Sequence, residues 1–304
     1  MRRNAAALAA LFVAGCGGGG DGGTGQLSLG LTDAPVDGVA EVWVQFTGVT
    51  LKPKNGPAID FAFDAPLSVN LLALDETHTE VLLNGEDVPA GEYNWIRLNV
   101  NAEFDGVMDS YVVEDGGGQV ELRVPSGANS GLKLVSGFTV LAGREASFII
   151  DWNLRMGLVA PGGQPGYKLQ PALRIVDMAE YGAIEGTVAT ALITDASCTS
   201  DPNTSEGNEV YVFSGSGVTP DDIDGTVPEP LATAKVRLDD VSGNYLYRAA
   251  FLPVGDYTVA FTCQAADDQV PDPDNPLADV DDPIAFTAGA AATVSDGQTT
   301  TVDF

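Results

Sequence analysis

The strongest constraint on this chain is a period of two. From about residue 26 onward, short runs of alternating apolar and polar residues follow one another. Each is closed by Gly, Pro, Asn or Asp, and the three-and-four spacing of an amphipathic helix is almost absent. Alternation puts one side of a segment into a core and the other into water. Many short strands set apart by turn residues therefore predict an all-β protein of sandwich type. "QLSLGLTD", "EVWVQFTGVTLK", "YNWIRLNV", "SYVVED", "QVELRVP", "GFTVLAG", "EASFIIDWNL" and "YKLQPALRIV" form a first set. "AIEGTVATALI", "EVYVFSG", "LATAKVRLDD", "NYLYRAAFLP", "GDYTVAFTC", "PIAFTAG" and "QTTTVDF" form a second. The "MAEYGA" stretch at 178–183 separates them, and "VNLLALDE" offers a single helical turn.

Strand parity assigns faces. Val42, Val44 and Phe46 share one side of their run and Glu41, Trp43 and Gln45 the other. Ile96, Leu98 and Val100 face inward, which leaves Tyr93, Trp95, Arg97 and Asn99 outside. Trp152 shares parity with Phe148 and Ile150 and reads as core. Tyr257, Val259, Phe261 and Cys263 line one inward face. Trp43, Tyr93 and Trp95 then form a candidate aromatic platform for a sugar ring or a protein, unless another part of the chain covers them.

The N-terminus speaks to location. Arg2 and Arg3 precede an apolar run from Ala5 to Ala14, and the run closes as Val13-Ala14-Gly15-Cys16. Such a run is too short for a bilayer, which takes about 20 residues, but it suits a secretory signal. Small residues before a cysteine look like a bacterial lipobox. The expectation is cleavage after residue 15, diacylation of Cys16, and anchoring through the lipid. Gly17, where an Asp would favour retention, points to the outer membrane of a two-membrane bacterium. The glycines that follow read as a tether over residues 16–26, holding the folded part on average about 15–20 Å from the membrane.

Charge and cysteines narrow the partners. The chain carries −29 at neutral pH. A surface this acidic repels nucleic acid and anionic headgroups, so polyanion partners are not expected. Cys198 and Cys263 are the two cysteines left in an exported chain, which predicts one disulfide. Closing that loop stabilises the fold by about 4 kcal/mol in the chain-entropy view.

Motifs of catalysis are missing. His78 is the single histidine, no G-x-S-x-G elbow or glycine-rich phosphate loop stands before a helix, and His78 reads as a surface-loop residue. No catalytic residue is assigned and no enzyme activity is expected. Carboxylate pairs carry no information among 43 acids, so a glycan or ester hydrolase stays open as a third reading. Asp272, Asp274, Asp279, Asp281 and Asp282 gather hard oxygens in one loop, and "TPDDIDG" at 219–225 is a second acidic turn. These acids either hold a structural Ca²⁺ or form a solvated loop, without an EF-hand's glycine and glutamate. No other cofactor is expected.

"LTDAPVDGVAEVWVQFTGVTLK", "VNLLAL", "VPAGEYNWIRLNV", "SGLKLVSGFTVLAG" and "YKLQPALRI" together resemble the bacterial and archaeal domain-of-unknown-function family 4382 over residues 27–178. The resemblance implies a β-sandwich of a surface lipoprotein and no catalytic residues. "GAIEGTV" and "AAFLPVGDYTVAFTC" make residues 183–304 similar to carboxypeptidase regulatory-like modules, β-sandwiches of the transthyretin and immunoglobulin type with accessory roles. The leading expectation is a non-catalytic, lipid-anchored protein that contacts an envelope partner. The second is a carbohydrate-binding module for extracellular polysaccharide.

Overall fold

The computed structural model describes residues 23–34, 36–125, 132–160, 166–200, 206–268, 270 and 283–304. Cys16 and Asp272, Asp274, Asp279, Asp281 and Asp282 lie outside the described residues. The fold is all-β, with two sandwiches in succession.

The first sandwich sets a four-stranded sheet against a nine-stranded one. The smaller runs in the order Leu173–Asp177, Glu145–Asn153, Thr24–Ala34, Glu80–Pro89. Its two central strands are parallel, and their register runs from Gln26 opposite Glu145 to Ala34 opposite Asn153. The larger sheet is built on Val39–Pro53, which pairs with Ile59–Asn70, Gly91–Asn101 and Tyr111–Glu114. Leu27, Leu29 and Leu31 of one sheet and Val42, Val44, Phe46, Ile96 and Leu98 of the other meet in one core, with Trp152 wholly buried among them. The parity of Val39–Pro53 changes after Phe46, and Val49 and Leu51 take over the inward side. The cause is a β-bulge between Phe46 and Gly48, where one extra residue flips every later side chain. A Cβ on Gly48 would lie 2.3 Å from the Phe61 carbonyl oxygen, so the bulge requires glycine.

The first strand starts at Thr24, inside the stretch read as tether: Thr24, Gly25 and Gln26 pair with Pro89, Val88 and Asp87. A Cβ on Gly25 would meet the Leu141 carbonyl oxygen at 2.5 Å, so this glycine serves close packing and not looseness.

The second sandwich sets Arg237–Leu238, Tyr245–Pro253, Tyr181–Val188 and Thr299–Thr301 against Ala232–Lys235, Glu209–Ser214, Gly255–Thr262 and Ala290–Val294. Tyr257, Val259, Phe261 and Cys263 face its core, as parity predicts. Cys198 and Cys263 form a disulfide with a Cα separation of 5.1 Å. The other face of the Glu209–Ser214 strand is covered as well. Tyr211 and Phe213 are fully buried under Ile223 and Phe286.

Both sandwiches turn the chain from one sheet to the other at the same short motif. Val88-Pro89-Ala90-Gly91-Glu92-Tyr93 and Leu252-Pro253-Val254-Gly255-Asp256-Tyr257 each link a strand of one sheet to a strand of the facing sheet. In each the tyrosine hydroxyl donates to the proline carbonyl four residues back, at 2.7 Å. A buried phenol needs a partner, and this one ties the corner shut.

Candidate functional site

Two of the first sandwich's strands end where the second sandwich begins, and polar groups converge there. The Glu145–Asn153 strand runs into a single helical turn, Leu154–Gly157, which the Asn153 side chain caps by accepting from the Met156 amide. That turn aims Arg155 across the junction. Its Nε donates to Glu209 at 2.7 Å, one terminal nitrogen to the Ala265 carbonyl at 2.6 Å, and the other to Asp37 at 2.6 Å and to Glu209. Asp37 also accepts from the Gly207 amide at 3.0 Å and pairs with Lys235. Glu209 is 0% exposed and the Arg155 side chain 4%.

Burial alone disfavours all these charges. It lowers the Arg155 guanidinium, but Glu209 and Asp37 outweigh it and hold the group charged far above neutral pH. It raises Asp37, but Arg155 and Lys235 bring that carboxyl below its ordinary value. It raises Glu209 to about 7 against the pull of Arg155, so this carboxylate depends on the arginine for its charge. All three guanidinium nitrogens donate, and the planar fork of arginine is what fits two carboxylates and a carbonyl at once.

A second clamp lies beside the first. Arg174 pairs with Asp151 at 2.6 Å and donates to the Phe251 carbonyl at 3.0 Å. Between Gly182 and Ile184 the register slips, so that Ala250 and Phe251 share one opposing residue. The bulge turns their carbonyls toward Arg174 and places Phe251 at φ +52°, a conformation that costs a side chain about 1 kcal/mol or more. Phe251 then packs with Ile149 and Val176 of the first sandwich.

Between these clamps opens a cleft of about 670 Å³. Asp33, Asp75, Glu76 and Asp151 line one side, and Glu185, Thr233, Lys235, Arg237, Tyr247, Arg248 and Phe251 the other. Residues 181–304 hold just three basic side chains, Lys235, Arg237 and Arg248, and all three line it. Arg248 reaches Glu76 across the cleft at 2.7 Å and Glu185 on its own side. The first sandwich thus presents four acids and Arg174, and the second its three cations with Glu185 and Asp303.

The aromatic platform does not form. Tyr93 is 2% exposed, stacked on Phe138 at 4.7 Å and bonded to the Pro89 carbonyl. The reason is a second bulge: Lys52 faces Trp95 and Pro53 faces Tyr93, which leaves Asn94 over and turns Tyr93 inward. Trp43 and Trp95 keep the outer face, half-buried, but the register puts them about nine residues apart along Val39–Pro53, roughly 30 Å. His78 is exposed in a turn, with Asp75 accepting from the Thr77 and His78 amides. The Thr77 hydroxyl, which donates to Asp75 at 2.6 Å, and then these amides hold the Asp75 carboxyl at about 2. Among the described residues no group of three or more His, Cys, Asp or Glu is placed to hold a metal, the 219–225 turn included. No helix among them is long and apolar enough to cross a membrane.

The sequence profile of one family meets this architecture. Residues 24–171 match a domain of unknown function, DUF4382. The DUF4382 region supplies one side of the junction: Asp33 and Asp37 follow directly in its "LTDAPVD" element, and Asp151 and Arg155 come from "IIDWNLR". Arg174 lies just beyond the match. The search of curated proteins found no match. Among solved structures the chain is similar to the minor pilin of Streptococcus agalactiae, at 12% identity over 91% of this chain and 94% of that one, with a TM-score of 0.19. It is similar to the major pilin subunit of Bacillus cereus, at 10% identity over 92% and 99%, TM-score 0.21. A fimbrial protein of Bacteroides ovatus is similar at 9% identity over 92% of this chain and 48% of that one, TM-score 0.19. At these TM-scores the likenesses carry no functional argument.

Asp37, Arg155, Glu209 and Lys235 were not singled out from the sequence. A signal was there: an arginine inside the apolar "NLRMGLV", and three cations alone among the many acids of the second half.

Proposed function

We propose that this chain is a non-catalytic recognition protein of the cell envelope, anchored by acyl chains on Cys16 and sorted to an outer membrane. Its working body is two sandwich modules, 27–178 and 183–304, joined rigidly, with the cleft between them as the recognition surface. The observation that carries this reading is the Arg155 fork, which fixes the modules so that the cleft has one shape. Three of its cations are already engaged: Arg174 with Asp151, Arg248 with Glu76 and Glu185, Lys235 with Asp37. Side chains held in ion pairs are poor proton carriers at neutral pH, which favours binding over turnover. The Cys198–Cys263 disulfide supports an oxidising, exported setting.

The test has two arms. Mass spectrometry of the mature N-terminus and cell fractionation should find diacylated Cys16 in the membrane fraction, with Cys16→Ser released from it. An unmodified N-terminus, or wild type among soluble cell contents, would overturn the anchor. A screen of glycans and esters should show no turnover, and hydrolysis abolished by Asp151→Asn would overturn the non-catalytic reading.

A further inference from the structure

We propose that the outer face of the nine-stranded sheet binds a carboxylate-bearing polysaccharide laid along the Val39–Pro53 and Gly91–Asn101 strands. This surface shares no residue with the cleft, so the proposal stands or falls independently of it.

Charge is the first argument. The chain is strongly acidic, yet two cations lie over one tryptophan and a third stands opposite it in the register. Lys52 lies opposite Trp95 in the register, and Lys133 opposite Arg97. The Lys133 ammonium sits 4.6 Å from the centre of the Trp95 ring and the Arg97 guanidinium carbon 5.9 Å from it. Lys54 adds a fourth cation at this end of the strand, paired with Glu92. Net charge repels polyanions from most of the surface. At about 0.1 M salt, however, charges beyond roughly 10 Å are screened, and the local patch decides what settles there.

Chemistry along the strands is the second argument. From Trp95 toward Trp43 runs a row of hydrogen-bonded polar side chains. Arg97 donates to Asn99 at 3.0 Å, and Asn99 donates to Thr50 at 3.0 Å. Thr50 donates to Asp60 at 2.6 Å, and Asn101 donates to Gln45 at 2.6 Å. Trp43, stacked on Tyr111 at 6.2 Å, closes the far end. Half-buried Asn99, Asn101 and Gln45 present their amides at the surface for a ligand, and buried Thr50 holds Asn99 in place beneath them. Vicinal hydroxyls match such groups, pyranose C–H faces match half-exposed aromatic rings, and uronate carboxylates match the cations at Trp95. The row extends roughly 30 Å along the strand, which suits a polymer and not a small molecule.

The test is affinity electrophoresis of the full mature chain in detergent, at 0.1 M salt, in gels holding alginate, neutral dextran or dextran sulfate. Alginate should retard the wild type and dextran should not. Trp95→Ala and Lys133→Glu should each weaken retardation at least tenfold. Lys133 is exposed on a short strand, so its variant keeps the fold, which circular dichroism checks. Four outcomes would overturn the proposal. They are no retardation by alginate, equal retardation by dextran, equal retardation by dextran sulfate, and Lys133→Glu migrating as wild type does.

Discussion

Arg155 is the residue on which most depends. It is buried with two carboxylates, and removing it would leave Glu209 and Asp37 uncompensated in the interior. Arg155→Ala should therefore destabilise the protein by about 3–5 kcal/mol in urea denaturation, far more than loss of the exposed Lys54–Glu92 pair. Two carboxyls, Glu209 and Glu229, are raised by burial to about 7. A raised folded-state value means that the folded chain holds the proton more tightly than the unfolded one. Each group therefore contributes its full stability below the ordinary value of 4.5, and loses it as pH climbs through 7. The melting temperature should fall between pH 5 and pH 8, and Glu229→Gln should flatten that fall. Asp37 works in the opposite sense at the acid end: its lowered value supports stability that is lost as pH drops below 3.8. Parity read Trp152 and Tyr257 correctly at this scale and failed at Tyr93, because one surplus residue at Asn94 inverts the alternation. The cue was present in the chain itself. The same Pro-x-Gly-acid-Tyr motif carries the inward Tyr257, and Tyr93→Phe and Tyr257→Phe should each cost about 1 kcal/mol, additively over so large a separation.

At the scale of elements, the strands were legible because their alternation survives in every segment that has one wet face. The bulges were not, since a bulge leaves no mark beyond a change of phase, as at Phe46–Gly48. Gly48→Ala tests that site: the methyl group would run into the Phe61 carbonyl, and the expected result is a loss of about 2 kcal/mol or more in the urea midpoint. Tyr211 and Phe213 were likewise hidden. An apolar residue at every position of "VYVF" reads as a strand buried on both faces, but nothing in it says that Ile223 and Phe286 do the covering. The disulfide was legible from cysteine count alone. Cys198→Ser with Cys263→Ser should lower stability by about 4 kcal/mol, the entropy of freeing a loop that size.

The whole molecule was the least legible level. Two sandwiches were expected in succession, and no pattern in either half announces how it meets the other. What joins them is a set of single residues far apart in sequence: Asp37 with Lys235, Arg155 with Glu209, Arg174 with the Phe251 carbonyl, Arg248 with Glu76. Each is an ordinary charge until the fold brings its partner near. Joined in this way, the sandwiches act as one body and the cleft has fixed walls, whereas a loose linker would leave neither. Differential scanning calorimetry reads that difference directly. The account predicts a single transition for the wild type, with equal calorimetric and van't Hoff enthalpies, and two separate transitions for Arg155→Ala. Two transitions already present in the wild type, or a single one untouched by the substitution, would contradict it.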